Sequence, residues 1–292
     1  MDEKKKLGKP QSDSEVINKH PSTLLVGYGW VGQHIGKYFK EAHWTDESGE
    51  YRTVDNELVK PKDKYDLGFI SVPTPMGENG RCDTSTIDTV IEKHGKLFGN
   101  PNKVSVDNWC NKSTVEVGTI DRLKKQYGIN ICMSPEYVGE TLGHPLLEAK
   151  PDPFIILGGD KETTRKFADA WTKVTNSYAR IHQTDGKTAE LTKLMENSYI
   201  ATKVMFVNEF RNLAESIGVD YNELRELWLA DPRVSRSHTY AYDDNKGFAG
   251  KCLPKDLTNL ATYFREEVGN PAHMIEFLLK RNEEIRGKKK WL

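Results

Sequence analysis

Thr23-Leu24-Leu25-Val26-Gly27-Tyr28-Gly29-Trp30-Val31-Gly32 decides how the chain is read. An apolar run enters G-x-G-x-x-G, and Ile35 and Phe39 follow at the spacing of a helix's inner face. Strand, glycine turn and helix in that order suit a dinucleotide pyrophosphate. Gly27 permits the tight turn, Gly29 lets backbone approach the phosphates, and Gly32 lets the helix pack on the strand. The helix start, with Trp30 and Val31 in its first turn, offers unpaired N–H groups and the positive end of a dipole. The competing reading, a glycine-rich turn that holds nothing, leaves the strand before it and the helix after it unexplained.

The pattern repeats outward from there. Short apolar runs at 51–54, 67–72, 104–106, 129–133 and 154–157 land on Asp55, Pro73-Thr74-Pro75, Asp107-Asn108, Ser134-Pro135-Glu136 and Gly158-Gly159. Helical stretches are expected at 31–41, 84–98, 115–127 and 161–174. Buried strands alternating with helices imply a parallel sheet covered on both faces, with ligands beyond the strands' carboxyl ends. Asp55, ending the expected second strand, is the candidate for the ribose hydroxyls. A carboxylate there repels a 2′-phosphate and favours NAD over NADP, a preference that nearby Arg52 weakens.

Beyond residue 186 the pattern changes. Residues 187–217 read as one helix whose apolar positions, Leu191, Leu194, Met195, Ile200, Val204, Val207 and Leu213, cover more than one face. Such a helix is buried against a second domain or a second subunit. Helices are also expected at 221–230, 255–267 and 271–286. The division is a loose polar tail at 1–20, an α/β domain at 21–186 and an all-α domain at 187–292.

Lys and Arg number 42 against 43 Asp and Glu, a net charge of −1, so no electrostatic case exists for binding nucleic acid or an anionic membrane. No apolar run is long enough to span a bilayer, and the polar start shows no secretory h-region. Cys82, Cys110, Cys132 and Cys252 form no C-x-x-C pair and have no His at zinc spacing, so no metal is expected. A reduced, cytoplasmic protein with mostly buried thiols fits this usage.

Cys252 stands apart. In Gly247-Phe248-Ala249-Gly250-Lys251-Cys252-Leu253-Pro254-Lys255-Asp256 the thiol precedes a proline suited to a helix's first turn. At a helix entrance, between Lys251 and Lys255, the thiolate is favoured, and Asp256 lies one turn on. That suits covalent chemistry on a carbonyl; a buried structural cysteine is the alternative. On the long helix, Glu190, Lys193, Asn197 and Ala201 share a stripe. Lys193 and Asn197 there serve either as oxyanion and proton-transfer groups or as a solvated face.

Taken together these residues resemble the nucleotide-sugar 6-dehydrogenases, the family of UDP-glucose, GDP-mannose and UDP-N-acetylmannosamine dehydrogenases. Ser71-Val72-Pro73-Thr74-Pro75 looks like the family's VPTP strand end. Lys112-Ser113-Thr114-Val115-Glu116-Val117-Gly118-Thr119 looks like K-S-T-V-P-V-G-T, with Glu116 in place of proline. Pro135-Glu136-Tyr137-Val138-Gly139-Glu140 is similar to P-E-F-L-R-E, with Gly139 in place of arginine. Lys193-x-x-x-Asn197 matches the Lys/Asn helix, Asp231-Pro232-Arg233 the D-P-R-I segment, and Cys252 to Asp256 the nucleophile motif C-x-P-K-D. Ala249 stands where the family has glycine.

The resemblance implies a Rossmann doubly wound sheet followed by an all-α domain on a long central helix, and oxidation of a sugar C6 alcohol to the acid with NAD. Gly27, Gly29, Trp30, Val31, Gly32, Asp55, Val72, Pro73, Thr74, Ser113 and Thr114 would face the cofactor. Lys193 and Asp256, through water, would remove the hydroxyl proton. Cys252 would carry a thiohemiacetal and then a thioester, hydrolysed with Glu140 or Glu136 as base and Thr114 placing the water; Asn197 would steady the oxyanions. Glu136, Tyr137, Lys193, Asn197, Arg233, Phe248, Gly250 and Lys255 would contact the nucleotide sugar, Arg233 in a neighbouring subunit. A homodimer through the central helix is expected. The family carries a third domain that grips the nucleotide; this chain ends at Leu292, so a separate nucleotide-binding subunit is a candidate partner. The rivals are a two-electron β-hydroxyacid dehydrogenase, which needs no thiol, and a non-catalytic NAD-binding subunit of a split enzyme.

Overall fold

The computed structural model describes residues 20–94, 104–137, 154–175 and 177–287. Its first half is built from β1 (Thr23–Val26), α1 (Trp30–Gly36), β2 (His43–Thr45), β3 (Tyr51–Thr53), β4 (Lys64–Ile70), α2 (Ser85–His94), β5 (Ser105–Asn111), α3 (Thr119–Tyr127), β6 (Asn130–Met133), β7 (Phe154–Gly158), α4 (Lys161–Val174) and β8 (Arg180–Thr184). The strands form one sheet in the order β3-β2-β1-β4-β5-β6-β7-β8. It is mainly parallel, as expected; the pairs β2–β3 and β6–β7 are antiparallel. The order reverses between β1 and β4, which opens a crevice at their carboxyl ends.

Strand alternation sends Leu24 and Val26 to one face and Leu25 to the other. Leu24, Val26, Ile87, Ile91, Trp109, Leu123 and Ile131 make one core. Leu25, Ile35, Phe39, Phe69, Phe167 and Trp171 make the second. Each fully buried large side chain contributes roughly 1.5–3 kcal/mol of transfer free energy. Cys110 and Cys132, register partners on β5 and β6, are buried in the second core as small apolar groups.

Three local expectations change. The second parallel strand is β2, from His43 to Thr45; the apolar run at 51–54 contains β3, which runs back against β2. The strand expected at 104–106 extends to Asn111, because Asn108 and Asn111 are buried with their amides bonded to the Asp66 and Ser113 carbonyls. The helix expected from 115 begins at Thr119, since Gly118 before it has φ +92°, outside the helical region.

Asp185 caps α5 (Gly186–Ser216) by accepting from the Thr188 N–H at 2.9 Å. After α6 (Tyr221–Trp228) come α7 (Leu253–Tyr263), a π-helical turn at Phe264–Val268, and α8 (His273–Arg286). Ala201, Met205, Phe248, Leu257 and Leu278 form the core between these helices. Glu190 of α5, buried, accepts from the Gly118 and Ile120 N–H groups at 2.6 and 2.8 Å, so the long helix caps α3. Burial pushes its carboxyl up to about 7 against those two bonds. Other faces of α5 leave Leu191, Met195, Tyr199, Phe206, Phe210 and Leu213 exposed on this chain.

Candidate active site

The glycines divide their work as a phosphate-binding turn requires. Gly27 has φ +86°, and a Cβ there would stand 2.4 Å from the Ser71 carbonyl oxygen. A Cβ on Gly32 would stand 2.2 Å from the Gly27 oxygen, whereas one on Gly29 would meet nothing within 4 Å. Two positions are closed by packing, and the one at the N-cap of α1 is open to an approaching group. Val31 packs partly into the core while Trp30 is exposed. The Gly27 N–H donates to Thr45 O at 2.9 Å and the Ser71 N–H to Val26 O at 2.8 Å, which fastens the ends of β2, β1 and β4 together.

Asp46 follows β2 at this crevice. The Ser48 hydroxyl and N–H donate to it at 2.7 and 2.9 Å and hold its carboxyl below the usual range. The expected ribose carboxylate, Asp55, is misplaced: β3 is antiparallel, Thr53 pairs with His43 at the start of β2, and the chain leaves β3 toward the amino ends of the parallel strands. Asp46 stands 19 residues after Gly27, at the spacing of about 20 expected for such a carboxylate. That signal was readable, but β2 has three residues and no alternation of its own.

Hydroxyls tie the next two strand ends. Ser113 Oγ accepts from the Val72 N–H at 3.0 Å and donates to Val72 O at 2.7 Å. Thr74 Oγ1 donates to Thr114 O at 2.7 Å. Pro73 between them is exposed. After β6, the buried Lys112 Nζ donates to Ser134 Oγ (3.2 Å) and Pro135 O (3.3 Å) and pairs with Glu136 Oε2 at 3.3 Å. Lys112, in the sequence only the first residue of the Lys112–Thr119 segment, here holds Glu136 at the strand end. Lys193 Nζ lies 5.0 Å from the centre of the Tyr137 ring. Glu140 falls outside the described residues.

Cys252 is exposed at the N-cap of α7, with Pro254 in the first turn and Gly250 before it at φ +82°. The Asp256 N–H makes the helix's first bond to Cys252 O at 2.9 Å. Asp256 is 2% exposed; it accepts from Asn197 Nδ2 at 2.5 Å and pairs with Lys255 Nζ at 2.6 Å. Burial works against the Lys255 charge, but Asp256, Cys82 and Cys252 outweigh it and its pKa is raised. Cys82, expected from the sequence only as one of the mostly buried thiols, belongs to this cluster. Its Sγ lies 3.4 Å from Thr114 O and 3.7 Å from Lys255 Nζ, and its N–H donates to Asn259 Oδ1 of α7 at 2.9 Å. Burial pushes this thiol's pKa up despite Lys255.

Asn197, Lys255 and Asp256 therefore meet beside Cys252, and Cys82 links them to Thr114. Lys193 and Tyr137 form a separate pair. Phe248 requires a correction: its ring is 2% exposed in the helical core, so it anchors the thiol loop rather than offering a face to a ligand. Asn282 grips that loop by accepting from the Phe248 N–H (2.8 Å) and donating to its carbonyl (3.1 Å). Arg233, whose side chain is 87% exposed, pairs with Asp231 rather than with a member of this cluster. The set offers a nucleophile, a buried carboxylate, an ammonium and an amide, which suits covalent chemistry on a carbonyl. Among the described residues no three His, Cys, Asp or Glu are grouped to hold a metal ion, and no helix is long and apolar enough to cross a membrane.

Residues 40–176 match the sequence model of the UDP-glucose/GDP-mannose dehydrogenase family NAD binding domain, and residues 187–284 match that family's central domain. The UDP-glucose 6-dehydrogenase of Rickettsia bellii is 28% identical over 279 residues, covering 94% of this chain and 60% of that protein. The UDP-N-acetyl-D-mannosamine dehydrogenase of Methanocaldococcus jannaschii is 32% identical over 206 residues, 68% of this chain and 44% of that protein. Among solved structures, a UDP-glucose dehydrogenase from Pyrobaculum islandicum superposes with a TM-score of 0.73 at 22% identity, covering 95% of this chain and 70% of that one. The chain spans about half to three-fifths of the length of the curated relatives it matches. The open glycine at the α1 N-cap and the matched NAD binding domain identify NAD as the cofactor. With the NAD binding and central domain models matched in order, the chain belongs to the UDP-glucose/GDP-mannose dehydrogenase family.

Proposed function

We propose that this chain oxidises the C6 alcohol of a nucleotide sugar, UDP-glucose first among the candidates, to the uronic acid through a covalent intermediate on Cys252. The observation that carries this reading is the run of contacts from Thr114 at the cofactor crevice through Cys82 and Lys255 to Asp256 and Asn197, with Cys252 opening the same helix. When bound, NAD supplies a two-electron hydride acceptor, drawn on twice per substrate. Lys193 and Asp256, through water, take the hydroxyl proton. The Cys252 sulfur adds to the aldehyde carbon, so the aldehyde cannot leave, and the thiohemiacetal is oxidised to a thioester. Water placed by Thr114 attacks the thioester, with Glu136 or Glu140 as base; it supplies the acid's second oxygen and releases the thiol. Asn197 and Lys193 steady the oxyanions.

The same reading places Gly27, Gly29, Gly32, Val72, Thr74, Ser113 and Thr114 around the cofactor, and Tyr137, Lys255, Gly250 and a partner subunit's copy of Arg233 around the sugar. The exposed apolar face of α5 would then seat a second copy of the chain. A further nucleotide-binding unit would grip the rest of the substrate, and the reduced cysteines fit a cytoplasmic setting. The test is turnover with UDP-glucose, UDP-N-acetyl sugars and GDP-mannose. Two NADH per substrate consumed is expected; one NADH per substrate would favour a β-hydroxyacid-type oxidation, and none a binding subunit.

Asp46, not Asp55, is proposed to hold the adenosine ribose. Asp46→Ala should weaken NAD binding by about tenfold, as loss of a charge-assisted hydrogen-bond pair implies, while Asp55→Ala leaves it unchanged. Titration of intrinsic fluorescence with NAD checks both, and the reverse order would reinstate Asp55.

A further inference from the structure

Between the cofactor crevice and the thiol helix runs the loop from Met76 to Asp83, closed by a bridge between Met76 and Cys82 and turned at Gly80, φ +75°. Gly80 packs against α7, where a Cβ would stand 3.1 Å from Thr262 Oγ1. Arg81 follows. Its guanidinium makes a two-pronged ion pair with Glu116, through Nε to Oε2 and Nη2 to Oε1. Nη1 reaches Glu267 at 3.1 Å and Glu266 at 3.5 Å, and the guanidinium carbon lies 5.6 Å from the centre of the Tyr263 ring.

These partners belong to two different parts of the molecule. Glu116 lies two residues after Thr114, and its carbonyl accepts from the Thr119 N–H and hydroxyl at the start of α3. Tyr263 ends the helix that Cys252 begins, and Glu266 and Glu267 sit in the π-helical turn after it. A planar fork on a carboxylate fixes distance and angle together, which a flexible ammonium does not. The Arg81 side chain is only 17% exposed and the Glu116 side chain 20%, so the pair is partly shielded from screening. Cys82 beside it bridges the same gap with Thr114 O on one side and Asn259 and Lys255 on the other.

We propose that Arg81 is a positioning residue that locks the Thr114–Gly118 segment to the helix carrying Cys252, and so sets where bound NAD stands relative to the thiol. Its guanidinium contacts are Glu116, Glu266, Glu267 and Tyr263 rather than Cys252, so it acts through Glu116 and the end of α7. The inference rests on the function proposed above only in taking Cys252 as the reacting thiol.

The full chain carrying Arg81→Ala, Arg81→Lys, Glu116→Ala or Arg81→Ala with Glu116→Ala tests it by two routes. In turnover, Arg81→Ala should lower kcat about 10- to 100-fold, the size of effect that misplacement by about 1 Å produces, with the KM for NAD within about twofold. The double variant should be no slower than Arg81→Ala alone, because the pair acts as one unit. Separately, peptide mapping reads the rate of Cys252 alkylation by iodoacetamide with and without NAD. NAD should change that rate severalfold in the native chain, fully lose this effect in Arg81→Ala, and keep part of it in Arg81→Lys, which retains charge without the fork. Should Arg81→Ala fail to fold, Arg81→Lys carries the same comparison. A kcat within twofold of native, additive losses in the double variant, or an NAD effect on alkylation that is absent from the native chain or equal in the variants overturns the proposal. If no nucleotide sugar is oxidised, the alkylation route still decides, so failure of the function and failure of the lock are told apart.

Discussion

Cys252→Ala should cut turnover by at least about a thousandfold, as removal of a covalent nucleophile does, and leave NAD affinity within about twofold of native. The two effects separate because of where the sulfur stands. Cys252 is exposed at the N-cap of α7, and its side chain caps nothing in the helix. The first helical bond uses its carbonyl, which alanine also has. The pyrophosphate turn is fixed by Gly27, Gly32, Ser71 and Thr45, none of which depends on the thiol. The same substitution at Cys110 or Cys132 would act differently, since both are fully buried in the sheet's second core and their loss would appear as stability. Cys252→Ser is the sharper variant, because an alkoxide is far harder to form than a thiolate at neutral pH. Pre-steady-state NADH formation with the preferred sugar measures each variant. Full steady-state activity in Cys252→Ala would end the covalent mechanism.

What the sequence made legible was what is local. The turn from Val26 to Gly32 carries its own glycines and its own change of period, and the structure places it at the crevice between β1 and β4. The long helix likewise announces itself through 31 residues without proline. β2 does not: His43, Trp44 and Thr45 become a strand by pairing with Leu24, Leu25 and Val26, so their conformation is set by register rather than by their own pattern. Reading the strand after it as the second parallel one put the candidate ribose carboxylate at Asp55, whereas the register makes Asp46 the residue that follows the parallel strand. Asn108 and Asn111 hid the length of β5 for a related reason, since polar residues read as loop until their buried partners are seen. Phe248 looked like a binding residue because its motif is one, yet the packing of α5, α7 and α8 claims its ring. Cys82 and Asn259 are 177 positions apart, and no spacing rule connects them. The motif residues were therefore legible as a set, while the contacts that join Thr114 to Asp256 are purely tertiary.

Asp256→Ala should be the most destabilising single change at the site, lowering stability by about 3 kcal/mol, as loss of one member of a buried ion pair does, and should also cut turnover by at least about a hundredfold. Both follow from one arrangement. Asp256 is 2% exposed, and its carboxylate is shared between the Asn197 amide at 2.5 Å and the Lys255 ammonium at 2.6 Å. Without it the Lys255 side chain, 14% exposed, loses its ion-pair partner while keeping its charge, and the Asn197 amide loses its acceptor. The cost is the stranded charge more than the lost attraction. Adding Lys255→Met to Asp256→Ala should therefore recover part of the stability while restoring none of the turnover. Asp256→Asn should retain more stability than alanine does, because it preserves volume and an acceptor for Asn197, and still lack the carboxylate proposed to take the proton. Denaturant midpoints and NADH production on the same preparations separate the two quantities. If Asp256→Ala and its double variant with Lys255→Met were equally stable, Lys255 would be solvated in the single variant, and the buried pair beside Cys252 would not be what holds this corner of the fold together.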